Sequence, residues 1–222
     1  VHRICRRDGG TYRKHAMTEA TSDAPIQVVV LPGWLNSEPE HWQSHWIKQH
    51  GATRIEQHDW VSPLRGDWVA ALESQLLDCR DAAESRGETP PRFAVAAHSL
   101  GCHLLAAWLA HSPNAGWVTA ALLVAPPDLS RSDLPPAVAW WAPAIKQPMP
   151  ARLQAAAVMV GSDNDPFSSW SATQALATQW GVESILMPGA GHVNAASGLG
   201  DWPSGWQQLQ QLIHQESIAH GN

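Results

Sequence analysis

The chain has 222 residues, of which 44% are hydrophobic, and a formal net charge of −6 at pH 7. This length and composition predict one globular domain with a full hydrophobic core and exclude an intrinsically disordered chain. The acidic balance argues against a nucleic-acid partner, and no apolar run reaches the roughly 18–20 residues that span a bilayer, so we expect no membrane partner either. Three scattered cysteines do not form a disulfide framework, which favours a reducing cytoplasm.

The first 25 residues differ from the rest of the chain. Residues 1–16 carry five Arg or Lys side chains against one Asp, without the apolar stretch of a secretory signal. Residues 17–25 are polar. We therefore expect residues 1–25 to be a disordered extension, with Met17 as the natural start, and residues 26–222 to form a single domain.

From residue 26 onward, short apolar segments alternate with amphipathic ones. Patterns typical of buried strands occur at 26–31, 53–57, 93–97, 119–125, 155–160 and 182–187. Patterns typical of helices occur at 39–50, 67–83, 100–111, 168–180 and 203–218. Connections too long for hairpins predict an α/β fold in three layers, a mostly parallel sheet with helices on both faces. The proline-rich residues 126–153 are predicted to form an excursion over a site.

A candidate nucleophile lies between the third predicted strand and the helix that follows it. Residues 97–101 read AHSLG, which is G-x-S-x-G with Ala97 in place of the first glycine. Such a turn is strained, so small residues are needed two positions before and two after the serine, and Gly101 keeps the more crowded side open. The motif alone also fits an ordinary serine in a strand–helix turn.

An acid and a histidine follow later strands in the order Ser…Asp…His that is typical of α/β hydrolases. Residues 161–166 read GSDNDP after one strand, and residues 189–192 read GAGH after the last. The sequence therefore predicts Ser99 as nucleophile, His192 as its base and Asp165 as the acid that orients the histidine. Asp163 is the alternative acid, and Asp165 is preferred because it directly precedes a proline.

Two further features of a hydrolytic site can be predicted. The oxyanion hole needs two backbone N–H groups, one from Leu100 and the other from the loop after the first strand, where Trp34 follows a Pro-Gly pair. The chain has 13 Trp against one Tyr and two Phe. Trp140 and Trp141 lie in the proline-rich excursion, and we expect them to line an apolar pocket for the acyl group.

The motifs LPGW, EHWQSHW, AHSLG, GSDNDPF and GAGHVNAASGLGDWPSGW together resemble the small serine hydrolases of the retinoblastoma-binding-protein and YdeN-like family. The resemblance covers about residues 27–214. It implies a compact α/β-hydrolase fold without a large cap domain, and it maps the family's catalytic serine, aspartate and histidine onto Ser99, Asp165 and His192. Ala97 departs from the glycine of many members. The resemblance implies an esterase or amidase but supplies no substrate.

Several other features carry weaker signals. His41 and His45 have the i,i+4 spacing of a helical zinc site, but without a third ligand we expect ordinary helix histidines and no metal. His98 is predicted to be structural, and Cys102 to pack as a small buried side chain. No glycine pattern for a nucleotide is present, so no cofactor is expected.

Two functions remain open at this level. The first is a cofactor-free serine hydrolase that cleaves a small ester, or an amide or thioester, through an acyl-enzyme, with a short acyl chain preferred. The second is a protein-binding module on a hydrolase scaffold, with an idle triad and a tryptophan-rich interface. The sequence does not determine the substrate or the oligomeric state.

Overall fold

The computed structural model describes residues 24–142 and 155–219, with side chains to residue 215. Nearly all of the predicted extension of residues 1–25, and part of the predicted excursion of residues 126–153, lie outside the described residues. Within them, six strands form one parallel sheet in the order β2-β1-β3-β4-β5-β6. The strands are β1 (Ile26–Leu31), β2 (Thr53–Arg54), β3 (Arg92–His98), β4 (Val118–Val124), β5 (Ala156–Gly161) and β6 (Glu183–Leu186).

Helices follow the strands in sequence, as parallel connections require. The α-helices of the described residues are α1 (Trp42–His50), α2 (Arg65–Ser85), α3 (Leu100–His111), α4 (Pro136–Ala139), α5 (Trp170–Trp180) and α6 (Pro203–Ala219). None of the helices in the described residues is both long enough and apolar enough to cross a membrane.

The sheet is buried on both faces, and the alternation of side chains along β1 shows this directly. Val29 and Leu31 pack on one face in the cluster that contains the inward sides of α2, α3 and α5. Val30 packs on the other face with α1 and α6. Because consecutive strand residues point to opposite faces, this run must be apolar throughout. The predicted three-layer arrangement, with a mostly parallel sheet between two layers of helices, is confirmed.

Some predicted boundaries were wrong, and each error has a local cause. The strand predicted at 53–57 is paired only over Thr53–Arg54 at the edge of the sheet, and its contact with β1 ends with the hydrogen bond from the Ile55 N–H to the Val30 carbonyl (3.1 Å). Helix α2 begins at Arg65 instead of residue 67, where Asp67 was expected as the N-cap, because Leu64 is the N-cap and Asp67 lies in the first turn. Helix α1 begins at Trp42 instead of residue 39, because His41 is its N-cap.

Candidate active site

Ser99 occupies a strained turn between β3 and α3. Its backbone has φ 54° and ψ −123°. This conformation costs a residue with a Cβ atom about 1–3 kcal/mol, whereas glycine adopts it freely. Hydrogen bonds hold it there: the Ser99 N–H donates to the carbonyl of Val124 (2.8 Å), and the Ser99 carbonyl accepts from the N–H of Cys102 (3.0 Å). The turn ends β3 abruptly and places the serine side chain beside a cavity.

Close packing around this turn explains the small residues of the motif. A Cβ at Gly101 would overlap the carbonyl oxygen of Leu31, so no other residue fits there without movement of the backbone. A Cβ at Gly33 would lie 2.7 Å from the Cβ of Ser99, which makes the first-strand loop equally tight. Ala97 is fully buried in the core, where its methyl group is accommodated.

The three residues predicted as a triad lie in one hydrogen-bonded chain. His192 Nε2 is 2.9 Å from Ser99 Oγ, and His192 Nδ1 is 2.9 Å and 3.0 Å from the two carboxylate oxygens of Asp165. The carboxylate side chain is 1% exposed and the imidazole 10% exposed. Because a carboxylate only accepts, Nδ1 carries the proton of the neutral ring, and Nε2 is left to accept from the serine hydroxyl.

The loop after β5 also fixes the backbone of the histidine loop. The side chains of residues 162–164 accept the backbone N–H groups of residues 189–191, at distances of 2.7–3.0 Å. The pairs are Asp163 with Gly189, Ser162 with Ala190, and Asn164 with Gly191. Of the two acids considered from the sequence, Asp165 contacts the His192 ring, whereas Asp163 binds backbone in the same loop.

Neither predicted oxyanion donor uses its backbone N–H in a hydrogen bond to another residue that the structure describes. Leu100 is the first residue of α3, where N–H groups have no partner within the helix. In the loop after β1, the N–H of Leu35 donates to the carbonyl of Trp60 (3.0 Å) and is thereby occupied. The backbone N–H of Trp34 makes no hydrogen bond with another described residue, and its indole donates to the carbonyl of Val61 (2.8 Å). Trp34 and Leu100 both border the cavity at Ser99.

That cavity has a volume of about 200 Å³ and two kinds of wall. One wall is apolar and comes largely from the excursion after β4 and the loop after β5. Its residues are Pro127, Leu134, Pro135, Val138 and Phe167. The other wall carries the polar side chains and comes from the loop before α1, which also contributes the apolar Leu35, and from the loop after the histidine. Its polar residues are Asn36, Glu38, His41 and Asn194.

The prediction that Trp140 and Trp141 line the pocket is corrected by the structure. Trp141 is 1% exposed, its indole donates to the carbonyl of Pro63 (2.9 Å), and its ring packs against Trp68 in the core. Trp140 is 80% exposed on the surface. Adjacent residues of a helical turn point in different directions, and here it is Val138 that reaches the cavity.

Two further histidines, His98 and His41, lie near His192, and neither of them was assigned to the site from the sequence. His98 Nε2 is 2.9 Å from the carbonyl oxygen of His192, and the centroid of the His98 ring lies 4.7 Å from that of His41 and 4.9 Å from that of His192. Burial lowers the pKa of His98 well below its usual value. Burial, together with the neighbouring His192, Arg54 and His45, lowers the pKa of His41 to about 3. Their positions depend on the packing of α1 against β3, which the sequence does not show.

The remaining residues considered from the sequence lie apart from the chemistry. His45 pairs with the carboxylate of Asp201 (2.9 Å) and does not border the cavity that His41 lines. The described residues contain no group of three or more His, Cys, Asp or Glu that could hold a metal ion. Cys102 is fully buried, and burial raises the pKa of its thiol.

An open parallel sheet with a serine on a strand–helix turn, and a histidine and an aspartate on loops after later strands, defines an α/β hydrolase. A family model described as serine hydrolase matches residues 28–211, and the chain belongs to this family. A search among curated proteins finds no significant match.

Solved structures agree with this assignment. A YdeN-like hydrolase from Pectobacterium atrosepticum is 25% identical with a TM-score of 0.70, and the match covers 86% of this chain and 92% of that one. The ydeN gene product of B. subtilis is 16% identical with a TM-score of 0.62, covering 86% and 99%. Est1E from Butyrivibrio proteoclasticus, solved with ferulic acid, is 12% identical with a TM-score of 0.60, covering 89% and 91%. The chain is therefore a small α/β serine hydrolase of the YdeN-like type.

Proposed function

We propose that the protein hydrolyses a small carboxylic ester through an acyl-enzyme formed on Ser99. The observation that carries the proposal is the continuous chain of short contacts from Ser99 Oγ through His192 to the buried carboxylate of Asp165. This arrangement activates a hydroxyl that is otherwise a weak nucleophile at neutral pH. It requires no cofactor.

The roles of the residues follow from this arrangement. Ser99 Oγ attacks the ester carbonyl while its proton passes to His192 Nε2, and Asp165 stabilises the imidazolium that forms. The N–H groups of Leu100 and Trp34 stabilise the oxyanion. His192 then returns the proton to the departing alcohol, and the same steps with water as nucleophile release the acid.

The size of the cavity supports a small substrate. Sites for drug-sized ligands measure about 300–1,000 Å³, whereas this cavity measures about 200 Å³. Its apolar wall suits a short acyl chain. An ester is proposed ahead of an amide because resonance with nitrogen makes an amide carbonyl harder for Ser99 to attack, and a thioester stays an alternative from the sequence. Action in the cytoplasm stays a prediction from the sequence.

Labelling by a fluorophosphonate probe tests the nucleophile, and hydrolysis of p-nitrophenyl esters of graded chain length tests the chemistry. We expect the wild type to be labelled and to cleave acetate and butyrate esters best, and Ser99→Ala to lose both properties. Ser171→Ala, at an exposed residue of α5, is the matched control and should behave as the wild type. A folded wild type that is not labelled would contradict the proposal.

The alternative function, a protein-binding module with an idle triad, has one observation in its favour. The Trp140 ring is 80% exposed, although large aromatic side chains are ordinarily buried. The same experiments separate the two functions. Partner capture that survives Ser99→Ala but fails in Trp140→Ala, with no ester turnover by the wild type, would favour the binding module.

A further inference from the structure

The N-cap histidine of α1 presents an unused hydrogen-bonding group at the candidate site. His41 borders the cavity beside Ser99, yet its side chain is almost fully buried, with 2% of the residue exposed. Its Nδ1 accepts the backbone N–H of Gln43 at 3.1 Å, which caps the helix. Its Nε2 is buried and has no hydrogen-bonding partner among the described residues.

The state of this ring can be deduced from its contacts. Because Nδ1 accepts a hydrogen bond, it holds a lone pair, and the single proton of the neutral imidazole must be on Nε2. The pKa of His41, lowered to about 3, keeps the ring neutral at physiological pH. His41 therefore offers an uncharged N–H donor in a water-poor position, where a donor without an acceptor is unfavourable.

The surroundings of the cavity limit the acceptor that could meet this donor. Glu38 lies on the same polar wall, and its carboxylate repels an anionic group. No Lys or Arg of the described residues lines the cavity to compensate for a second negative charge. The matching acceptor is therefore a neutral oxygen such as an ether, hydroxyl or carbonyl.

The position of His41 relative to His192 shows which half of an ester it would meet. The leaving alcohol must lie next to His192, because this residue returns the proton to it. The His98 ring contacts both residues, with its centroid 4.7 Å from that of His41 and 4.9 Å from that of His192, so His41 lies on the His192 side of the cavity. The excursion residues Leu134 and Val138 form the apolar wall, which suits the acyl chain.

We propose that the Nε2–H of His41 donates a hydrogen bond to a neutral oxygen in the alcohol part of the substrate, so that the enzyme selects esters of oxygen-bearing alcohols. This inference rests on the proposed ester hydrolysis. It makes His41 a specificity-determining residue that contacts the leaving group and takes no part in the proton transfer.

Two acetate esters of the same size provide the test. Butyl acetate and 2-methoxyethyl acetate differ by one oxygen in place of one methylene, and kcat/KM is measured for both by acetate release. We expect the ratio of kcat/KM for 2-methoxyethyl acetate to kcat/KM for butyl acetate to be about tenfold lower in both His41→Asn and His41→Phe than in the wild type. A tenfold change is the effect of one neutral hydrogen bond. Asparagine keeps an acceptor for the Gln43 N–H and so preserves the cap, whereas phenylalanine keeps the ring volume.

Controls make each outcome decisive. His45→Asn changes a histidine of the same helix that does not border the cavity, and its ratio should equal that of the wild type. If only His41→Phe changes the ratio, the residue is merely a cap and the inference is wrong. A matching effect with methyl methoxyacetate against methyl butanoate would place His41 on the acyl side and also overturn it. Turnover of all esters with unchanged ratios refutes the inference alone, whereas absence of any turnover refutes the proposed function itself.

Discussion

The imidazole Nε2 of His98 lies 2.9 Å from the carbonyl oxygen of His192. Because a carbonyl only accepts, this nitrogen carries a proton, and the lowered pKa of His98 keeps the ring neutral. The residue that precedes the candidate nucleophile thus holds the backbone of the candidate base. This bond joins the end of β3 to the loop after β6, two segments that are far apart in the sequence.

Replacement of His98 by Phe should misplace His192 while keeping a ring in the core. The variant loses the donor and leaves the carbonyl of His192 without a partner, so we expect stability to fall by about 1–3 kcal/mol. We also expect kcat to fall by about ten- to a hundredfold, because small displacements of reacting groups are costly in rate. Urea denaturation and ester hydrolysis measure the two effects separately.

His103→Phe is the matched control for this prediction. His103 is also buried and bonds a backbone carbonyl, that of Pro127, at 2.9 Å, but it does not contact His192. We expect His103→Phe to lose about as much stability as His98→Phe, but its kcat should fall much less. Equal losses of rate in the two variants would show that His98 acts only through general stability.

The choice between the two acids of the loop after β5 can be tested directly. Asp165→Asn keeps the shape of the side chain but no longer fixes the proton on His192 Nδ1, so we expect kcat to fall on the order of 10³–10⁴-fold. Asp163→Asn retains an Oδ1 that can accept from Gly189, so its rate should change by less than about threefold. A large loss in Asp163→Asn with a small one in Asp165→Asn would reverse the assignment.

The sequence predicted the parts of this site that depend on local pattern. Ser99, Asp165 and His192 each follow a strand, and their spacing relative to the strands could be recognised without coordinates. The positions of the strands along the chain and the apolar character of both sheet faces were predictable for the same reason, since a buried parallel strand must be apolar throughout.

Other features depended on packing that no local pattern shows. Trp141 and Trp140 are neighbours in sequence, yet one is in the core and the other is on the surface, because the turn that follows the short helix α4 points them in different directions. The approach of His41 to His98 requires α1 to lie against the end of β3. The sequence pattern placed His41 inside a helix at 39–50 with i,i+4 spacing to His45, and neither feature indicates a contact with β3.

The tight contact between α3 and the end of β1 makes a prediction about Gly101. Gly101→Ala would place a methyl group against the carbonyl oxygen of Leu31, and backbone cannot yield as a flexible side chain does. We expect a loss of stability of about 3 kcal/mol or more, with reduced labelling of Ser99 as the turn shifts. Gly66→Ala is the matched control: this helical glycine has open space around it, and alanine should stabilise by about 0.4–1 kcal/mol. If urea denaturation showed no loss of stability in Gly101→Ala, the predicted overlap with the Leu31 carbonyl oxygen would be wrong.

Buried neutral histidines should make the protein sensitive to acid. Burial lowers the pKa of His103 from its usual 6.5 to about 4, and it lowers those of His41 and His98 in the same direction. The unfolded chain therefore binds more protons than the folded one below pH 6.5. Stability from these groups is complete above that pH and is lost as the pH falls towards 4.

Each such histidine contributes a slope of about 1.4 kcal/mol per pH unit in this window. Urea denaturation at a series of pH values between 7 and 4 measures the total slope. His103→Phe removes one of these groups, so its slope should be smaller than that of the wild type by about 1.4 kcal/mol per pH unit between pH 6 and 4.5. An unchanged slope in His103→Phe would mean that this ring gains a proton in the folded state as readily as in the unfolded chain.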